Sequence, residues 1–208
     1  MLNQKIKNIL EISVVIIFFI LFSYIIQTNL NLIKSLMTNN FLGMIIYVII
    51  SIIAIVIAPV SALPLMPVAS NLWNPPIAAI LSIIGWTIGS LIAFIISRKY
   101  GINLIKRFIP LNKIYKLEKI IPKENIFWSV VFLRITIPVD ILSYALGLFS
   151  KMKTREYLLA TIIGITPFAF IFAYLGKMPF QYQILALILA LITILIGIIS
   201  RKNKSQTL

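Results

Sequence analysis

The stretch APVSALPLMPVASNLWNPP, residues 58–76, places five prolines and two asparagines inside a long apolar run. No charged residue occurs between Lys34 and Arg98, a run of 63 positions. One helical membrane crossing needs about 20 apolar residues, so this run is longer than a single crossing. Because proline removes a backbone donor and breaks helices, the pattern predicts a helix that enters the membrane, breaks near Pro59–Pro67 and returns. Such non-helical backbone is tolerated at membrane depth only inside protein or beside a wet cavity.

The composition of the whole chain supports a membrane class. Of its 208 residues, 61% are hydrophobic and 12% are charged, whereas soluble domains carry about 25% charged residues. We therefore expect an all-α integral membrane protein. Cysteine and histidine are both absent, which excludes disulfides, thiol nucleophiles, imidazole bases and the usual zinc and haem ligands. We expect no metal and no cofactor.

Five apolar blocks divide the chain. The first, 12–27, follows two lysines like a signal peptide, but QTNLNLIKS comes next and offers no small-residue cleavage site, so we expect a retained span. The predicted domains are an N-terminal transmembrane helix with an outer loop, a central domain, and a C-terminal transmembrane helix with a basic tail, at 1–40, 41–176 and 181–208. The central domain begins with a first re-entrant hairpin (41–73) and a first span (76–97). A basic loop (98–125), a second re-entrant hairpin (126–149) and a second span (157–176) follow. About four transmembrane helices accompany the hairpins.

The basic residues predict an orientation. If the N-terminus is in the cytoplasm, the N-terminal helix crosses to the outside, and the first hairpin enters and returns to that side. The first span then crosses back and places the basic loop in the cytoplasm, as the positive-inside rule requires. Basic residues flank the second hairpin at both ends, which a full crossing would not satisfy. This topology places 16 of the 19 basic residues inside, with Lys34 and Lys177 outside and Arg134 in the membrane. We expect a multi-pass protein of the bacterial cell membrane with both termini cytoplasmic.

The net charge of +14 comes from short basic segments beside spans, where anionic lipid headgroups explain it better than nucleic acid does. We therefore expect membrane lipids as partners and no nucleic acid, and leave a homo-oligomer open. Within the basic loop, apolar residues recur at helical spacing with lysines between them, which predicts an amphipathic helix in the inner interface: Leu111, Ile114, Leu117 and Ile121 with Lys113, Lys116 and Lys119.

The two hairpins share a sequence pattern. PVSAL begins at Pro59 and PVDIL at Pro138, and 26 residues after each proline comes a glycine of the following span, Gly85 or Gly164. In the predicted topology the first hairpin enters from outside and the second from inside. The pattern favours an inverted-topology repeat, in which broken helices meet near the midplane at a substrate site.

Arg134 and Asp140 are the candidate site residues because both are charged within the predicted membrane core. A charge at the bilayer centre costs about 2.5–3.5 kcal/mol on insertion scales, so Arg134 needs protein or water and a partner. Pro138 bends the hairpin between them and makes their contact feasible. Two interpretations remain open. One is a buried ion pair that only pins the hairpin; the other is an anion site in which the Arg134 guanidinium binds a phosphate and Asp140 is a counter-ion or proton carrier.

Several further residues complete the predicted site. Ser143, Pro59 and Pro64 join Arg134, Asp140 and Pro138 in the substrate-binding set. Small residues and one proline are expected at close helix contacts or hinges: Gly85, Gly147, Gly164, Pro167 and Gly176. Trp73 and Tyr144 are expected to be interface anchors, and Asn71 and Asn74 to lie at the outer surface.

The second half of the central domain resembles a known family. FLRITIPVDILSYALGLFSKMKTREYLLATIIGITPFAFIFAYLG, residues 132–176, is similar to the signature half of the DedA/VTT-domain superfamily, also called SNARE-associated Golgi proteins. PLMPVASNLWNPPIAAILSIIGWTIGSLIAFIISRKYG, residues 64–101, resembles its companion segment. The resemblance implies two re-entrant hairpins and lipid translocation, either recycling of polyprenyl-phosphate carriers or phospholipid scrambling.

The resemblance also concerns individual residues. Arg134 matches the family's hairpin arginine, and Pro138 its neighbouring proline, displaced by one. Asp140 stands where many bacterial members have a second arginine. The glutamate that those members carry in the first hairpin is missing, with Ser61, Leu65 and Val68 in that region. These departures argue against proton coupling through paired carboxylates.

Three classes of function follow. A lipid translocator working through the hairpins, with no enzymatic turnover, is the first. A lipid-metabolising enzyme is the second, in which Asp140 and Ser143 would carry the chemistry. The third is an assembly factor whose hairpins only pack against partners, in which case Arg134 and Asp140 together would tolerate apolar replacement.

Overall fold

A computed structural model describes residues 41–57, 62–105, 125–136 and 139–185, scattered positions between 17 and 29, and residues 115, 118 and 121. Every regular element in these ranges is a helix, which confirms the all-helical prediction. The chain divides after Lys177 into two compact units, of which the second contains a short helix at 180–185. The helices of the first unit are α1 (Phe41–Val56), α2 (Met66–Trp73), α3 (Pro75–Ile105), α4 (Ile126–Thr136), α5 (Val139–Phe149) and α6 (Thr154–Lys177).

Two of these helices are long and apolar enough to cross a membrane. They cover Pro75–Asn103, with 29 residues, and Thr154–Lys177, with 24 residues. At about 1.5 Å per residue, each exceeds the roughly 30 Å of a hydrocarbon core. The helices α1 and α4 are apolar but shorter.

Prolines mark the beginnings of helices in the stretch that follows α1. Pro64 lies in a 3₁₀ turn, Leu63–Leu65, and Pro67 in the first turn of α2. The first turn of a helix tolerates proline because its N–H has no partner within the helix. Asn74, with a φ of 71°, reverses the chain between α2 and α3. Pro59 lies outside the described residues.

The helix α3 continues beyond the predicted end of the first span. The sequence predicts a loop from residue 98, but α3 runs on to Ile105 with non-helical backbone at Gly101, whose φ is 66°. Positive φ favours glycine because it has no Cβ. A charged residue ends an apolar span but does not end a helix, and this explains the difference. Most of the predicted interfacial helix lies outside the described residues.

The two long helices, α3 and α6, pack antiparallel. Phe94 stacks on Tyr157 with ring centroids 3.9 Å apart, and Trp86 meets Phe168 at 6.3 Å. The later residue of α3 therefore pairs with the earlier residue of α6. Around this pair, α5 packs on α3 and α2 packs on α6.

Small residues allow these contacts. A Cβ on Gly147 of α5 would collide with Phe94 and Ser97 of α3. A Cβ on Gly176 of α6 would lie 2.9 Å from the Cα of Pro67 in α2. Helices in membranes approach closely where a residue lacks a side chain.

The prediction that Trp73 and Tyr144 anchor the membrane interface is wrong. Their side chains are 4% and 2% exposed. The Trp73 ring packs edge-on against Tyr47 at 5.9 Å, and the Tyr144 hydroxyl donates to the carbonyl of Val56. Both aromatic side chains pack against neighbouring helices instead of facing the membrane interface. Composition alone does not predict such contacts.

Candidate functional site

Arg134 lies in the last turn of α4, and its side chain is 2% exposed. Burial of a guanidinium is costly unless hydrogen-bond acceptors replace water. The neighbouring helices α5 and α6 supply such acceptors. Its position makes Arg134 the centre of the candidate site.

Three hydroxyl groups accept hydrogen bonds from this guanidinium. Nη1 donates to Ser143 Oγ at 3.2 Å, and Nη2 donates to Tyr157 Oη at 2.6 Å and to Thr161 Oγ1 at 3.0 Å. The Tyr157 ring also faces the guanidinium, with its centroid 5.3 Å from Cζ. These hydroxyls orient the cation without contributing negative charge.

Tyr157 connects Arg134 to the other long helix. Its hydroxyl donates to the carbonyl of Ser90 at 3.0 Å, and its ring stacks on Phe94 at an angle of 18°. The guanidinium of Arg98 lies 4.2 Å from the centroid of Phe94. Contacts therefore run from the exposed Arg98 through two aromatic rings to the buried Arg134.

Gly164 lets α6 approach α4 beside Arg134. A Cβ at this position would lie 2.6 Å from the Cβ of Arg134 and 2.9 Å from the carbonyl of Val131. Pro167, one turn further along α6, is exposed. The predicted hinge role of Gly164 and Pro167 stays a prediction.

A second polar cluster joins α1, α2 and α3. Tyr47 Oη and Ser82 Oγ are 2.6 Å apart, and Ser82 Oγ also lies 3.2 Å from the sulfur of Met66. Ser51 donates to the carbonyl of Tyr47, and a Cβ on Gly85 would lie 2.9 Å from the Ser51 Cβ. All five of these residues are uncharged.

The remaining predicted site residues are only partly described. Asp140 lies in α5, but its side chain is outside what the structure describes, so the Arg134–Asp140 pair stays a prediction. Pro138 and Pro59 are outside the described residues. Pro64 is half-buried.

Sequence reasoning missed Tyr157 and Thr161. A signal was present, since Tyr157, Thr161 and Gly164 follow one another at spacings of four and three and so share one face of α6. Polar residues at this spacing in an apolar helix indicate a face turned toward protein. Ser90 and Phe94 repeat the spacing of four on α3.

The comparisons with known proteins agree with the resemblance. A family model described as the VTT domain matches residues 60–178, which is more than half of the chain. Neither the curated proteins nor the solved structures gave a match. Arg134, Tyr157 and Gly164 all lie within the matched range. The chain belongs to the VTT-domain family of DedA and SNARE-associated Golgi proteins, a family of membrane proteins.

Proposed function

We propose that the protein moves a lipid with a phosphate group, a phospholipid or a polyprenyl phosphate, across a membrane, and that Arg134 binds that phosphate. The DedA family is often linked to lipid transport. The observation that carries the proposal is the buried Arg134 guanidinium, which three hydroxyls hold at the junction of α4, α5 and α6. A planar guanidinium binds phosphate through paired hydrogen bonds. No chemical turnover is part of this proposal.

The proposed architecture is an inverted repeat of two re-entrant hairpins, each followed by a span. Supporting it, α5 packs on α3 through Gly147 and Ser97, while α2 packs on α6 through Pro67 and Gly176. Ser97 and Gly176 are 79 positions apart, as are Gly85 and Gly164. The second arm of each hairpin thus contacts the span that follows the other hairpin.

The hairpins also meet each other in this architecture. Tyr144 of the second hairpin donates a hydrogen bond to Val56 of the first. The proposed orientation follows from the charges: both termini lie in the cytoplasm of a bacterial cell, and the chain crosses its membrane several times.

Transport of labelled lipid in liposomes tests the function. Arg134→Gln is expected to lower the rate about ten- to hundredfold, because hydrogen bonds to charged groups contribute about 1.5–3 kcal/mol. Arg134→Lys keeps the positive charge but lacks the paired donors of the planar guanidinium. Its transport rate is expected to lie between those of the wild-type protein and Arg134→Gln. Arg155→Gln is the matched control, since Arg155 is an exposed basic residue of α6.

An assembly role is the alternative, because Arg134 also links three helices. The thermal stability of each variant in detergent separates the two. If the Arg134→Gln protein is destabilised but transports lipid at the wild-type rate, the role of Arg134 is structural. Absence of transport of either lipid class by the wild-type protein would reject the proposed function.

A further inference from the structure

Each long helix carries, near its C-terminal end, a cation that binds the segment just before the other long helix. Because α3 and α6 are antiparallel, the end of each lies beside the beginning of the other. Arg98 occupies the last turn of α3 before the break at Gly101, and Lys177 ends α6. We name the two sets of contacts the Arg98 clamp and the Lys177 clamp.

The Arg98 clamp closes the junction of α5 and α6. Nη1 of Arg98 donates to the carbonyl of Met152 at 2.7 Å, and Nη2 donates to the carbonyl of Ser150 at 2.7 Å. The same guanidinium stacks on Phe94, which contacts Tyr157 and so the candidate site.

The Lys177 clamp closes the junction of α2 and α3 at the opposite end. Nζ of Lys177 donates to Asn74 Oδ1 at 2.5 Å, and Asn71 Nδ2 donates to the carbonyl of Gly176 at 3.1 Å. Asn74 is the residue of positive φ at which the chain reverses. This explains in part why the stretch NLWNPP contains two asparagines.

The two clamps occupy equivalent positions in the proposed repeat. Arg98 and Lys177 are 79 residues apart, and so are Asn71 and Ser150. This is the spacing that separates Gly85 from Gly164. In each case the last turn of one span is tied to the end of the hairpin of the other half.

Both clamps are closed in this structure, and Arg134 is 2% exposed. A phosphate from the lipid headgroup region therefore reaches Arg134 only after helices separate. Arg98, Lys177 and Asn74 are exposed to solvent, and exposed polar contacts are weak enough to open and close reversibly.

We propose that Arg98 and Lys177 are positioning residues that open alternately, so that the Arg134 site becomes accessible from one face of the membrane at a time. Release of Arg98 frees Phe94 and Tyr157 and opens the site toward the face where Arg98 lies. Release of Lys177 frees α2 from α6 and opens it toward the opposite face. This inference rests on the proposed function and adds the two residues that control access.

The absence of cysteine from the chain makes a labelling test direct. Thr161→Cys, which places a thiol beside Arg134, is reacted with an anionic, membrane-impermeant methanethiosulfonate added to one side of oriented vesicles. Arg98→Gln removes both charge-assisted hydrogen bonds of the Arg98 clamp. It is expected to raise the labelling rate from the Arg98 face about tenfold, because exposure weakens each of these bonds. Lys177→Met is expected to raise labelling from the other face instead. Lys151→Cys, in an exposed loop beside the Arg98 clamp, identifies the Arg98 face.

Conservative and distant variants are the controls. Arg98→Lys and Lys177→Arg keep a cation and are expected to restore most of the slow labelling. Arg155→Gln removes an exposed charge near the Arg98 end and is expected to leave labelling unchanged. The proposal is overturned if either clamp variant raises the labelling rate equally from both faces, or if neither variant raises it. A merely structural contact would give one of these two results.

A covalently closed clamp gives a second test in a folded protein. Arg98→Cys with Ser150→Cys, bridged by a short reducible bis-methanethiosulfonate, is expected to stop lipid transport until a thiol reductant is added. Transport by the bridged protein at the unbridged rate overturns the clamp proposal. If the wild-type protein moves no lipid, the proposed function fails, while the labelling rates still decide the clamps.

Discussion

At the scale of residues, Tyr157 is the side chain that ties Arg134 to the rest of the molecule. It accepts from Arg134 and donates to the carbonyl of Ser90, so it uses both hydrogen-bonding capacities of its hydroxyl. Its ring separates the guanidinium from Phe94. Arg134 thus owes part of its orientation to a residue of another helix.

Tyr157→Phe is expected to lower the free energy of unfolding by about 1–3 kcal/mol, because it removes one buried acceptor of the Arg134 guanidinium and the hydroxyl that donates to the carbonyl of Ser90. Thr161→Val, which removes one hydrogen bond to Arg134 and keeps the shape, is the matched control and is expected to cost less. Thermal unfolding in detergent measures both. A larger loss for Thr161→Val would show that Tyr157 does not hold the site together.

At the scale of elements, glycines set how closely the helices pack, and each meets a different obstacle. The Cβ of an alanine at Gly164 would meet the Cβ of Arg134 and the carbonyl of Val131. At Gly85 the nearest atom would be the Cβ of Ser51, at 2.9 Å. The contact at Gly164 therefore includes a backbone atom. The closest contact at Gly85 is with a side-chain atom, which a substitution of Ser51 by glycine removes.

Gly164→Ala is therefore expected to be the more destabilising substitution, by about 1–3 kcal/mol, since overpacking forces backbone shifts. Gly85→Ala is expected to cost less, and Ser51→Gly in the same chain is expected to recover part of the loss. A double-mutant cycle on Gly85 and Ser51 by thermal unfolding measures the coupling. Additive effects would contradict the contact.

At the scale of the whole molecule, the distribution of charge predicts how the chain lies in the membrane. The proposed orientation places Lys34 outside and Lys113 in the cytoplasm. Sixteen of the 19 basic residues lie on the cytoplasmic side in this arrangement. Anionic lipids of the inner leaflet attract such residues.

Single-cysteine variants of this cysteine-free chain test the orientation. Lys34→Cys is expected to react with an impermeant maleimide in intact cells, whereas Lys5→Cys and Lys113→Cys are expected to react only after permeabilisation. Labelling of Lys34→Cys and Lys113→Cys from the same side would contradict the charge-based topology.

The sequence alone predicts the helical membrane class, the interruption of the apolar run between residues 58 and 76, and the family. These are local properties, because hydropathy adds up along the chain and a proline acts on its own helix. The choice of Arg134 as a candidate site residue has the same origin, since a charge within an apolar run is visible without a fold. The end of the first span was less predictable, because α3 continues as a helix through Arg98 to Gly101.

Only the tertiary structure decided which side chains surround Arg134 and which contacts close the ends of the long helices. Tyr157 and Thr161 lie 23 and 27 residues from Arg134 along the chain, and Lys177 lies 103 residues from Asn74. Such partners depend on how each helix is rotated and which helix lies beside it. Packing of small residues sets both, and apolar helices leave many such arrangements equally compatible with their hydropathy.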